Sequence, residues 1–208
     1  MTPDPSSRAP AAREGLGTDD LAAGLRPVLL EPGAAAALDV HGRHDAAVLV
    51  ALFVDCGEPH VVLTRRREDL RRHAGEISFP GGRQDEGDED LRATALREAH
   101  EEIGLLPAAV DLIGALQPTP TIATNYAVYP FVGLIAPGQT WTPSPVEVAE
   151  VLELSLPDLR AGYGRRRLLR RGVPFLTDTY EVGAHLVWGA TARILADLFE
   201  RVDAAGLA

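Results

Sequence analysis

Two neighbouring apolar runs constrain this chain more than any other feature. Residues 45–55, DAAVLVALFVD, and 59–66, PHVVLTRR, are rich in β-branched side chains and are separated only by CGE. Runs of this length and composition read as strands, and so short a gap predicts a tight connection between them. After them come EISFPGG, an acidic loop, and a segment with helical periodicity over 89–103. In that segment Ala95, Leu96, Ala99 and Ile103 fall near one face, and Gly104 follows as a stop. Further strands are expected in AVDLIGAL, YAVYPFVGLI and VEVAEVLELSL, a further pair in PFLTDTYEV and AHLVW, and a final helix over 189–202. A short amphipathic helix with an acidic start is expected over 19–30. The order is strands, helix, strands, helix, with no repeated βαβ unit and no internal repeat. This predicts an α/β chain of the α+β kind, a mixed sheet with helices on its faces.

Composition removes several function classes. The chain has 208 residues and a formal net charge of −10, which argues against a nucleic-acid binder. It contains no lysine, so Schiff-base chemistry and the lysine-bearing phosphate loop are excluded. No apolar run approaches a membrane span, and the first twenty residues have no signal-peptide core. The single cysteine, Cys56, cannot form an internal disulfide and reads as a buried or half-buried structural thiol. The cytoplasm is the default compartment. Residues 1–18, rich in Pro, Ala, Ser and Gly, are expected to be a disordered tail ahead of one domain over 19–208. A homodimer is compatible with the sequence, which does not fix the oligomeric state.

The helix raises a chemical question. Glu98, Glu101 and Glu102 project to roughly one side of it, near its C-terminal end, where the helix dipole disfavours acids. A solvated face is what most charge runs are. Yet a Gly-Gly turn precedes this helix and can bring a backbone carbonyl to the same point. Hard oxygen ligands gathered in this way suit Mg²⁺ or Mn²⁺. Intramolecular ion pairs account for the acids equally well. Arg97 is the natural partner of an upstream acid, either Asp88 or Glu89.

The stretch Arg97-Glu98-Ala99-His100-Glu101-Glu102-Ile103-Gly104-Leu105 resembles the second half of the Nudix box, G-x5-E-x7-R-E-U-x-E-E-x-G-U with U aliphatic. Counting forward from Gly82 places the box's first acid at Asp88, whereas counting back from Arg97 places it at Glu89. The box, over 82–105, is one residue longer than the general pattern. This lengthened form is similar to that of the coenzyme A pyrophosphatases. Their upstream signature, L-L-T-x-R-[SA]-x3-R-x3-G-x3-F-P-G-G, matches Leu63, Thr64, Arg66, Arg71, Gly75, Phe79, Pro80, Gly81 and Gly82 in register. Val62 replaces a leucine there, and Arg67 stands where a small residue is usual, adding a large cation near the expected substrate site.

The resemblance covers about residues 44–200 and implies a Nudix-type α/β/α sandwich with a mixed β-sheet and a loop-helix-loop catalytic motif. It implies a metal-dependent pyrophosphohydrolase that cleaves coenzyme A or its thioesters to 3′,5′-ADP and 4′-phosphopantetheine, with Mg²⁺ or Mn²⁺ as cofactor. Carried over by position, Glu98 and Glu102 would be the main metal ligands. Glu101 would be a further ligand or the general base, Gly81 would supply a carbonyl, and Arg97 would orient the loop. In parts of the superfamily the base lies on a later loop, where Glu147 is the candidate here, with Glu150 behind it. Arg66 and Arg71 would pair with substrate phosphates. Arg65, Arg72 and the run 165–171 read as surface charge, His73 as a loop hydrogen-bonder, and Tyr126 and Tyr129 equally as pocket or core. Another nucleoside diphosphate derivative, such as ADP-ribose or NADH, is the alternative substrate. A non-catalytic nucleotide-binding module is disfavoured, because such modules have eroded boxes.

Overall fold

A computed structural model describes residues 15–70, 75–121, 125–170 and 172–207. The two leading apolar runs form a hairpin, β1 (His44–Asp55) and β2 (Glu58–Arg66), joined through Cys56 and Gly57. Both turn residues have positive φ, 49° at Cys56 and 81° at Gly57. Such a two-residue turn matches the twist of the flanking strands. Cys56 is therefore exposed at the tip of the hairpin, not the buried or half-buried thiol expected. It sits where the chain must turn outward.

Strand β1 organises the molecule, because both of its faces are buried. Ala47, Leu49, Ala51 and Phe53 point into one core, and Val50, Leu52 and Val54 into another. The period-2 alternation of a strand explains the division. The first core is closed by α3 (Leu91–Ile103), whose Leu91, Ala95, Ala99 and Ile103 recur every four residues. Two alanines in that row allow the helix to lie close to the sheet. The second core is closed by α1 (Thr18–Leu25) and α5 (Gly189–Ala204), through Leu21, Leu25, Leu195, Leu198 and Val202. The product is a mixed sheet with helices on both faces, as expected. Helix α1 is shorter than the expected 19–30, since Pro27 has no N–H with which to extend it.

The remaining elements are α2 (Pro32–Ala36), β3 (Ile77–Ser78), β4 (Gly81–Arg83), β5 (Asp111–Ala115), β6 (Thr119–Pro120), β7 (Tyr126–Leu134), β8 (Val148–Ser155), α4 (Leu156–Ala161), β9 (Tyr163–Arg170), β10 (Val173–Val182) and β11 (His185–Trp188). In the main sheet the path runs β3-β2-β1-β7-β5, with β4 on β1, β6 on β7 and β8 on β2. Among the described residues only the β1–β7 pair is parallel. Strands β11, β10 and β9 form a second, antiparallel sheet. Strand β9 holds most of the arginine run 165–171, which was expected as surface charge. It is a strand, but an exposed one, with Arg165 paired to Asp178 and Arg166 to Glu181.

Two strands meet β1 on the same edge. Strand β2 pairs with its C-terminal half, at Leu52–Asp55, and β4 with Ala46–Val48. The chain thus re-enters the sheet at β4 directly before the loop that leads into α3. The site is built at that junction.

Candidate active site

Strand β4 carries glycine at two crowded positions. A Cβ on Gly81 would lie 2.3 Å from the Ala47 carbonyl oxygen, and one on Gly82 would lie 2.4 Å from Glu98 Oε1. The first glycine allows the strand to pair with β1. The second leaves room for the Glu98 carboxylate over the backbone. From there an acidic loop leads to Asp90, which caps α3 by accepting from the N–H groups of Arg92 (2.8 Å) and Ala93 (2.9 Å). Gly104 ends the helix in the left-handed region, at φ 76°.

The choice between the two upstream acids is settled by Arg97. Its Nε donates to Asp88 Oδ1 at 2.8 Å and its Nη2 to Asp88 Oδ2 at 2.9 Å, a two-pronged pair. Asp88 also accepts from the Asp85 N–H and the Thr94 hydroxyl. Glu89 is exposed. The forward count from Gly82 therefore identifies the acid that holds the loop, and the additional residue lies between Asp88 and Arg97. The Arg97 guanidinium, with these other donors, holds the Asp88 carboxyl well below the usual carboxylate range. Arg97 further donates to the Arg83 carbonyl (3.2 Å), Glu98 (3.0 Å) and Glu101 (3.2 Å). One side chain thus ties β4, the loop and the acidic face of α3 together.

Glu102 is the most buried of the three glutamates, with its side chain 6% exposed. It accepts from the Gly81 N–H at 3.3 Å. Burial pushes its pKa up to about 7, against the lowering effect of that N–H and of Arg66, with Glu98 and Glu147 adding to the rise. Burial also raises Glu98, opposed by Arg97. Glu101 is the most exposed, at 57% of its side chain. Two of the carboxylates thus lie where a compensating positive charge would be most stabilising.

The loop before β8 brings a fourth acid to the cluster. The Ser144 N–H donates to the Glu102 carbonyl (2.8 Å) and the Thr142 N–H to the Ile103 carbonyl (3.0 Å). These bonds satisfy the free carbonyls at the end of α3 and dock the loop there. Arg67 clamps the same loop. Its backbone N–H donates to the Glu147 carbonyl (3.0 Å) and its Nη1 to the Pro145 carbonyl (2.7 Å), while Nε and Nη2 grip Asp69. Glu147 thereby comes within 3.7 Å of Arg66 Nη1, which also lies 3.5 Å from Glu102. This clamp carries no sequence signal, because its partners on the loop are backbone carbonyls.

The structure thus brings together Arg66, Gly81, Arg97, Glu98, Glu101, Glu102 and Glu147. Arg71, Arg72 and His73 lie outside the described residues, as does most of the N-terminal tail; Leu16 packs against the core. Glu150 is paired with Arg65 at 3.1 Å. Tyr129 is core, donating to the Leu38 carbonyl, and Tyr126 packs on His44.

Among the described residues, no three acidic, histidine or cysteine side chains stand as a ready-made metal cage. Arg97 is bonded to Glu98 and Glu101, and Arg66 lies against Glu102 and Glu147. The donor set nevertheless fits a hard divalent cation: carboxylate oxygens, partly withdrawn from water, beside a glycine-lined backbone.

A sequence model of the NUDIX domain matches residues 42–172, more than half of the chain. The chain belongs to the Nudix hydrolase family. Its members act on phosphoric anhydrides of small nucleotides and generally use divalent metal ions. A protein from Photorhabdus laumondii described as an uncharacterized Nudix hydrolase, NudL, is 38% identical over 168 residues, 80% of this chain and 88% of the relative. The NudL of Cronobacter sakazakii is 42% identical over 158 residues, 75% and 81% of the two chains. A MutT/nudix family protein from Enterococcus faecalis superposes with a TM-score of 0.51 at 16% identity, over 80% of this chain and 64% of that one, a likeness of fold. No helix among the described residues is long and apolar enough to cross a membrane.

Proposed function

We propose that this Nudix hydrolase cleaves the diphosphate of coenzyme A or of its thioesters, giving 3′,5′-ADP and 4′-phosphopantetheine, with Mg²⁺ or Mn²⁺. The observation that carries the reading is the position of Arg66. This residue of the upstream signature lies against Glu102 and Glu147, beside the catalytic helix. Arg67, the departure from that signature, speaks less strongly against it than its size suggested. Its guanidinium is engaged by Asp69 and Pro145 and is not free to crowd a ligand.

In this reading Glu98 and Glu102 hold the cation, with Glu101 and the Gly81 carbonyl as further ligands. When bound, the cation neutralises the diphosphate and lowers the pKa of a ligated water. Glu101 or Glu147 takes the proton from the attacking water, which splits the pyrophosphate. Arg97 fixes the loop and touches no reacting atom. Arg66 and Arg71 pair with phosphates. One domain over 19–208, a cytoplasmic location and a homodimer belong to the same reading.

The test is product analysis with mutants. Incubation with coenzyme A and Mg²⁺ is expected to yield the two named products. Glu101→Gln is expected to lose roughly two to four orders of magnitude in rate if Glu101 is the base. A loss below about tenfold, with the large loss in Glu147→Gln, transfers that role to Glu147. Turnover in which coenzyme A is left intact while ADP-ribose or NADH is split contradicts the substrate assignment.

A further inference from the structure

Among the described residues two arginines, Arg97 and Arg66, reach the acidic cluster, and they are held very differently. Arg97 is saturated, with bonds to Asp88, Glu98, Glu101 and the Arg83 carbonyl. Arg66 is not. Its acidic neighbours lie at 3.5 Å (Glu102) and 3.7 Å (Glu147), longer than a good N–H···O bond. Its Nε is buried and, among the described residues, has no hydrogen-bond partner. A buried N–H without a partner costs free energy, so this arrangement holds the side chain loosely. The β2–β8 register shifts between Arg65 and Arg66, and such irregularities re-aim side chains beside active sites. Arg65, one residue earlier, is held by Glu150 and Glu68.

We propose that Arg66 is a competing counter-ion: its guanidinium and the divalent cation contest the carboxylates of Glu102 and Glu147, and the cation displaces it toward the substrate. The proposal rests on the reading of Glu98 and Glu102 as cation ligands. A divalent ion on Glu102 places two positive charges close to a guanidinium that has no strong bond to keep it there. Once displaced, the planar fork can meet phosphate oxygens in a two-pronged pair. Metal and anionic substrate then favour each other's binding, because the same side chain must leave one site to serve the other. Arg66 thus acts as a positioning residue for the metal step as well as a phosphate contact.

Mn²⁺ alone, titrated into the full chain and followed by the electron spin resonance of the free ion, tests this. Arg66→Met is expected to bind Mn²⁺ on the order of tenfold more tightly than the parent, since a contact competitor is gone. Arg66→Lys, which keeps the charge, is expected to fall between the two. Arg65→Met removes the same charge from the neighbouring position and is expected to stay within about twofold of the parent, as a screened pair should. If Arg66→Met does not fold, Arg66→Gln carries the comparison on the same criteria. A second readout is ADP binding: Mn²⁺ is expected to strengthen it more in the parent than in Arg66→Met. Equal or weaker Mn²⁺ affinity in the neutral Arg66 variant overturns the proposal and leaves the metal reading standing. So does an equal gain in Arg65→Met, which would reduce the effect to net charge. A parent that binds no Mn²⁺ overturns both.

Discussion

Asp88 and Glu89 differ by one methylene and one position, yet only Asp88 receives the Arg97 fork. Asp88→Asn leaves part of Arg97 without its strongest partner and is expected to destabilise the fold by about 1–3 kcal/mol. Glu89→Gln, on an exposed side chain, is expected to change stability by less than about 0.5 kcal/mol. Urea denaturation of the two variants measures both. The pair also sets a pH dependence. Because the folded pKa of Asp88 is depressed, its contribution to stability is present above the unfolded value of 3.8 and fades as pH falls below it. Stability is expected to drop between pH 5 and 2 more steeply in the parent than in Asp88→Asn, within about one proton's worth of slope. Equal slopes in the two proteins would contradict the assignment. Residue spacing made the three glutamates legible, since helical geometry fixes which positions share a side. The upstream acid was not legible, because the loop before the helix has no period and an inserted residue leaves two counts equally valid.

At the scale of elements, β4 and α3 form one unit. Gly82→Ala would push a methyl against the flexible end of Glu98, whereas Gly81→Ala would push one against the Ala47 backbone. The first is expected to reduce turnover by about tenfold or more while costing stability only about 1 kcal/mol. The second is expected to cost more, about 2–3 kcal/mol, because β1–β4 pairing must open. Thermal melting alongside turnover numbers separates the two; a Gly82→Ala enzyme with full activity would contradict the placement of Glu98. Elements with long periodic runs, such as β1, β7, α3 and α5, could be read from the chain. Strands β3, β4 and β6 could not, because two or three residues contain no period. Strand β9 was hidden by its consecutive arginines, of which Arg165 and Arg166 meet carboxylate partners on β10.

For the whole molecule, the formal charge of −10 and a diphosphate substrate repel each other, so the site must import positive charge. Arginines and a divalent cation are the available sources. A mixed sheet with helices on its faces was legible from the order of elements. What the chain order did not reveal is how the loop before β8 returns to the end of α3. That contact runs through backbone carbonyls at Glu102 and Ile103, which carry no side-chain signature. The same loop brings Glu147 within 3.7 Å of Arg66. The most direct measurement is kcat/KM on the purified protein for coenzyme A, ADP-ribose and NADH, each with Mg²⁺, with Mn²⁺ and with chelator. The expected result is metal-dependent turnover, absent with chelator, that strongly favours coenzyme A. Turnover of coenzyme A no faster than that of ADP-ribose would contradict the account.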